Sequence, residues 1–292
     1  MSRLQRAVEK AEREGLLAWT GREDARRTVT THLDAPPADR QLSHDVDPAW
    51  PDLESAGTQA AEMGRLSPLF VAATHPTCPA AEQYRLLRTR LEGRGLEGRD
   101  RSRRAQFILV TSPGPGDGKT TTSGNLALTM SQDFNHSVVL VEADMRRPTL
   151  AGLSGITAEH GLVDVLVGGV ALDDVLVQLP GQNLFVLPAG QATSRSTELL
   201  GSSMMSRLIE TLRNRFDRIV VDSPPVTLAD THVLARLADC VLIVVRAGVT
   251  SRPALEHALE GVERERIAGL VLNDVDLSVG TYPGAYAWTA GA

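Results

Sequence analysis

The sequence predicts an α/β fold: a doubly wound, mostly parallel sheet with helices on both faces. Three observations carry that expectation. From Gln106 onward, short apolar runs alternate with segments of helical character. Most of those runs are apolar throughout rather than alternating, as strands covered by helices on both faces must be. A glycine-rich turn ending in Gly118-Lys119-Thr120 also stands between a strand-like run and a helix-like one.

Taken in order, the strands are expected at 107–111, 138–143, 184–187, 218–222, 240–246 and 269–273. Helices are expected at 119–131, 161–167, 171–178, 197–214, 229–237 and 252–265, with one more ahead of the sheet at 80–91. In such a sheet, ligands bind outside the carboxyl ends of the strands, so the loops after 111, 143 and 222 should lie together.

The first of these loops is Pro113-Gly114-Pro115-Gly116-Asp117-Gly118-Lys119-Thr120. Glycines let successive backbone N–H groups converge on phosphate oxygens, and the following helix N-terminus adds a favourable dipole. Lys119 is expected to reach the β- and γ-phosphates of a nucleoside triphosphate, and the Thr120 hydroxyl to ligate Mg²⁺. Pro115, Gly116, Asp117, Gly118 and Thr121 complete the expected nucleotide-binding set. The usual spacing calls for glycine at 113, where this chain has proline, but Gly114, Gly116 and Gly118 remain as permissive residues.

The other two loops carry acids. Val138-Val139-Leu140-Val141-Glu142-Ala143-Asp144 ends one buried strand, and Ile219-Val220-Val221-Asp222 ends another. A carboxylate there is costly unless it is paired or serves a metal ion. Thr120, Asp144 and Asp222 are therefore the candidate Mg²⁺ residues, directly or through water.

These three segments together resemble the bacterial tyrosine kinases of polysaccharide-export and capsule loci, autokinases with a P-loop fold. Pro115-Gly116-Asp117-Gly118-Lys119-Thr120 is similar to the family's nucleotide loop. Glu142-Ala143-Asp144-Met145-Arg146-Arg147-Pro148 is similar to its Asp-Ala-Asp-x-Arg-x-Pro segment, and Val220-Val221-Asp222-Ser223-Pro224-Pro225 to its Asp-x-Pro-Pro strand end. The likeness spans roughly residues 68–286.

The resemblance implies an ATP- and Mg²⁺-dependent tyrosine autokinase with Lys119, Glu142, Asp144 and Asp222 as catalytic residues. Glu142 or Asp144 would orient or deprotonate the incoming hydroxyl; glutamate at 142 departs from the family's usual aspartate. Glu82, Arg85 and Arg88 reproduce an E-x-x-R-x-x-R helix that in relatives drives ring-like self-association. Asn273, at the end of the last strand, would touch adenine. Tyr282 and Tyr286 are the expected phosphoacceptors, where relatives have a larger tyrosine cluster. A membrane polysaccharide co-polymerase as activator and a cognate tyrosine phosphatase are the implied partners. The implied location is cytoplasmic, peripheral at the inner face of the membrane through that partner.

Two other readings stay open. One is a nucleotide-switched assembly or positioning ATPase akin to division-site and partition proteins, although these usually place a signature lysine where Gly114 stands. The other is a regulator that binds ATP but no longer transfers phosphate.

Bulk composition fits this picture. The chain has 292 residues, 42 % of them hydrophobic and 23 % charged, with a net charge of −6. That mild acidity argues against a nucleic-acid-coating protein. No apolar run approaches the ~20 residues that span a bilayer, and the first residues lack the apolar core of a signal peptide. Three regions are expected: residues 1–66, a short helix (3–17) plus a disordered linker; residues 67–279, the kinase domain; and residues 280–292, a flexible tyrosine-bearing tail. His75 and Cys78 have ligand-like spacing without a second pair nearby, and Cys240 reads as a small buried hydrophobe.

Overall fold

The computed structural model describes residues 65–93, 106–132 and 136–275. The expected N-terminal helix, nearly all of the linker, and the tyrosine tail lie outside the described residues.

Seven strands form one sheet: β1 (Phe107–Thr111), β2 (Val138–Glu142), β3 (Val177–Gln178), β4 (Leu184–Leu187), β5 (Arg218–Asp222), β6 (Cys240–Arg246) and β7 (Ile267–Asn273). Their order is β3-β4-β2-β5-β1-β6-β7. All neighbours are parallel except β3, which runs antiparallel to β4 through Val177↔Val186. The doubly wound, mostly parallel sheet predicted from the apolar runs is thus what the chain forms.

Side-chain alternation splits the core into two layers. Phe107, Leu109, Val139, Val141, Ile219, Val221 and Ile243 face helices 203–215, 229–237 and 252–260. Ile108, Val110, Val138, Leu140, Val220 and Leu242 face helix Lys119–Ser131 and the segment from Phe70 to Leu91. Every residue of β1, β2 and β5 is buried, which explains why their sequences show no alternation.

Helix Lys119–Ser131 is buried from Thr122 to Ser131. Asn125 within it staples the chain ahead of the sheet. Its Oδ1 accepts from the Ala72 amide at 2.9 Å, and its Nδ2 donates to the Leu69 carbonyl at 2.9 Å. Beside it, a Cβ on Gly124 would lie 2.3 Å from the Phe70 ring. Gly124→Ala is accordingly expected to destabilise the fold. Alanine gains about 1 kcal/mol of helix propensity, but overpacking costs about 1–3 kcal/mol. A lower Tm in thermal melts checks this; an unchanged or higher Tm contradicts it.

Three expected elements need correction. Residues 171–178 are not one helix: Leu172–Val175 is helical, and the chain then turns into β3. The stretch 197–214 is two helices, Ser196–Leu200 and Ser203–Arg215. Ser202 starts the second, its hydroxyl accepting from the Met205 amide at 3.2 Å. Helix 252–265 ends at Glu260 before Gly261, and a short 3₁₀ turn, Arg264–Arg266, leads into β7. Short helices at Val71–Thr74 and Leu150–Leu153 were not anticipated. Among the described residues no helix is long and apolar enough to cross a membrane.

Candidate active site

The register of the central strands brings the three motif loops together. Val110 of β1 and Glu142 of β2 both pair with Asp222 of β5, so these strands end level with one another. A cavity of about 1000 Å³ opens beside these ends, lined among others by Pro115, Gly116, Gly118, Lys119, Thr120, Thr121 and Asp144. Its remaining wall is formed by Arg146, Arg147, Thr149, Gly152 and Leu153, facing Pro225, Thr227 and Leu228.

Within the β1 loop only Gly116 (φ 82°) and Gly118 (φ 97°) adopt positive φ. Proline at 113 therefore strains nothing. Gly118 is required on a second count, since a Cβ there would lie 1.9 Å from Nδ2 of Asn273. Asp117 braces the loop from behind. Its Oδ2 accepts from the Gly114 amide at 2.8 Å and its Oδ1 from the Thr250 hydroxyl at 2.9 Å. Its carbonyl accepts from Asn273 Nδ2 at 3.0 Å.

The Asp117 carboxylate is thus spent on its own loop, so the nucleotide contact expected at this position falls to its backbone amide. Asn273, expected at adenine, has its amide on the back of the loop and is not among the residues lining the cavity. Thr250, which sequence reasoning missed, closes this brace. Its hydroxyl also accepts from the Arg246 amide at 2.9 Å.

The three acids have different surroundings. Asp144 lies with Oδ2 3.5 Å from Lys119 Nζ, and its Oδ1 accepts from the Arg147 amide at 3.2 Å. Asp222 is fully buried, and neither of its carboxylate oxygens has a hydrogen-bond partner among the described residues. Desolvation pushes its pKa up to about 7; nearby Thr120 and the Lys119 charge oppose the rise, while Glu142 and Asp144 add to it. A bare carboxylate buried beside a threonine hydroxyl is what a cation-binding residue looks like without its cation. The donor set of Thr120, Asp144 and Asp222 therefore fits Mg²⁺, a hard ion that takes oxygen ligands.

Glu142 is held by backbone amides. Its Oε1 accepts from the amides of Thr149 and Leu150, both at 2.5 Å, and its Oε2 from the Ala189 amide at 3.1 Å. Burial raises its pKa, and these amides counter the rise. The longer side chain thus reaches the start of helix Leu150–Leu153 and the loop after β4, and does not line the cavity. So held, the carboxylate ties the end of β2 to the start of helix Leu150–Leu153 and to the loop after β4.

Helix Pro79–Gly93 carries the expected self-association residues. Arg85 pairs with Glu82 at 2.7 Å and also donates to the Pro76 carbonyl, while Arg88 donates to the Thr129 carbonyl at 2.9 Å. In the isolated chain these arginines are engaged within the subunit. Tyr282 and Tyr286 fall outside the described residues.

A parallel sheet of this order with Gly118-Lys119-Thr120 beyond its central strand defines a P-loop nucleotide-binding protein. A family model described as an AAA domain matches residues 105–267. The tyrosine-protein kinase CpsD of Streptococcus agalactiae serotype III (strain NEM316) is 32 % identical over 205 residues, covering 69 % of this chain and 85 % of that protein. The tyrosine-protein kinase YwqD of Bacillus subtilis (strain 168) is 29 % identical over 225 residues, covering 76 % and 92 % respectively. The kinase domain of the Escherichia coli tyrosine kinase ETK superposes with a TM-score of 0.65 at 29 % identity, over 73 % of this chain and 82 % of that one. The chain belongs to the bacterial tyrosine-kinase family, within the P-loop fold.

Proposed function

We propose that this chain is an ATP-dependent protein-tyrosine autokinase that transfers the γ-phosphoryl group to Tyr282 or Tyr286 of a neighbouring subunit, in support of exopolysaccharide or capsule production. The observation that carries the reading is the convergence of Lys119, Thr120 and Asp144 on one cavity, with the buried Asp222 at the strand ends beside it.

Lys119 and the amides of the glycine loop bind the phosphates. Thr120, Asp144 and Asp222 would hold Mg²⁺, which supplies charge neutralisation between the transferring oxygens when bound. With Glu142 committed to three amides, Asp144 is the carboxylate left to orient or accept the proton of the incoming tyrosine hydroxyl. Its pairing with Lys119 holds it at the cavity for that role. Of the three tyrosines in the chain, Tyr84 is half-buried within helix Pro79–Gly93. Burial raises its pKa, against the neighbouring Thr122 and Asn125 side chains. The tail pair are the acceptors.

Transfer between subunits calls for a homo-oligomer, and a ring formed through Glu82, Arg85 and Arg88 is the arrangement this reading favours. A membrane polysaccharide co-polymerase would activate the enzyme and hold it at the inner face of the cytoplasmic membrane, and a tyrosine phosphatase would reset it.

Incubating the full chain with Mg²⁺-ATP and mapping phosphotyrosine by mass spectrometry tests the reading. Phosphate is expected on Tyr282 or Tyr286, with none incorporated in the Tyr282→Phe/Tyr286→Phe variant. Hydrolysis of ATP with no tyrosine modified, with a co-polymerase fragment present, would instead identify a nucleotide-switched assembly ATPase.

A further inference from the structure

Arg146 is anchored from behind by a group that does not line the cavity. Asp230, at the start of helix Ala229–Leu237, is fully buried. A carboxylate there is costly unless its oxygens are matched by donors. Arg146 supplies two of these, Nε at 2.9 Å and Nη2 at 3.4 Å. Ser196 Oγ donates at 2.7 Å, and Thr197 Oγ1 donates as well. Thr197 Oγ1 in turn accepts from Arg146 Nη2 at 3.3 Å. Burial alone would raise the Asp230 pKa, yet Arg146, Thr197 and Ser196 together hold it below the usual carboxylate range. The anchor is therefore ionised and saturated.

Its effect falls on the arginine. The Nε–Nη2 edge is committed to Asp230, while Nη1 has no hydrogen-bond partner among the described residues. The side chain remains 39 % exposed and lines the same cavity as Lys119, Thr120 and Asp144. A guanidinium fixed along one edge presents its other donors without losing rotamer entropy on binding, which suits it to an oxyanion. Arg147 beside it has no comparable anchor: its side chain is exposed, and its backbone amide makes the contact to Asp144.

We propose that Arg146 binds the terminal phosphate of the nucleoside triphosphate held in this cavity, and that Asp230, with Ser196 and Thr197, is the positioning group that aims it. This rests on the nucleotide reading above. Lys119 and Arg146 then act on the γ-phosphate from the two sequence motifs that meet there, and ADP, which lacks that group, does not use Arg146.

The test is equilibrium binding by titration calorimetry, with ADP and with a non-hydrolysable ATP analogue, each with Mg²⁺, on the full chain. Arg146→Ala is expected to weaken the analogue about tenfold, as loss of a charge-assisted hydrogen bond does, and to leave ADP within about twofold. Arg146→Lys should restore only part of the loss, because an ammonium cannot be gripped along one edge. Asp230→Asn should weaken the analogue selectively in the native background and add nothing in the Arg146→Ala background. Should Asp230→Asn fail to fold, Thr197→Val carries the same comparison at a half-buried position. Equal loss of ADP and analogue in Arg146→Ala, or no loss of either, overturns the assignment to the terminal phosphate. Selective loss from the anchor variant that persists without Arg146 overturns the positioning role. Failure of the native chain to bind either nucleotide would instead remove the nucleotide reading itself.

Discussion

Lys119→Met is expected to reduce phosphate transfer at least a hundredfold while leaving the chain folded. The methionine keeps most of the apolar stem of the lysine, so the cavity wall survives. What disappears is the one cation that the glycine loop supplies to the phosphates. Loss of a single preorganised charge at developing negative charge costs about 10²–10³ in rate. Asp144 also loses its 3.5 Å partner, and with it the contact that holds this carboxylate at the cavity. Initial rates of transfer, alongside thermal melts, check this. A variant that melts normally yet retains more than about a tenth of native activity would show that Lys119 is not the phosphate cation.

Asp222→Asn should have an equally large effect, of opposite sign for activity and for metal-free stability. The acid sits near pKa 7 in the fold, against 3.8 for an unperturbed aspartate. Between those values the folded chain binds more protons than the unfolded one, so stability falls as pH rises from about 4 to about 7 and is level above that. At 1.36 kcal/mol per unit the ceiling of this penalty is about 4 kcal/mol. Asparagine removes it. In metal-free buffer the variant should therefore melt higher than the native chain at pH 8, with the difference shrinking toward pH 4. Mg²⁺ with ADP should stabilise the native chain and not the variant, and transfer by the variant should be lost. Melts across that pH range, with and without Mg²⁺-ADP, decide it. A variant that is less stable at every pH would mean Asp222 is held by contacts rather than reserved for a cation.

Much of this was legible before the structure, for reasons that particular residues make plain. Strands buried on both faces must be apolar throughout, so Val138–Val141 and Ile219–Val221 stood out. Gly118-Lys119-Thr120 marked the loop because its function needs those side chains in sequence.

Elements whose burial does not discriminate between conformations were misread. Leu172, Val175, Leu176, Val177 and Leu179 are all buried, and such a run fits a helix as well as the short helix and edge strand it forms. The roles of polar groups depend on partners that sequence does not place. Asp117 meets Thr250 across 133 positions, and Arg146 meets Asp230 across 84. Glu142 was visible as a departure from the family's aspartate. That its extra methylene carries the carboxylate to the amides of Thr149, Leu150 and Ala189 was visible only in three dimensions.

The most direct test of the central claim mixes two inactive forms. One is Lys119→Met, which keeps its tail tyrosines but cannot transfer. The other is Tyr282→Phe/Tyr286→Phe, which keeps its site but lacks acceptors. With Mg²⁺-ATP, an intersubunit tyrosine kinase should place phosphate on Tyr282 or Tyr286 of the Lys119 variant only when both forms are present. No phosphotyrosine in the mixture, under conditions where the native chain modifies itself, would contradict transfer between neighbours.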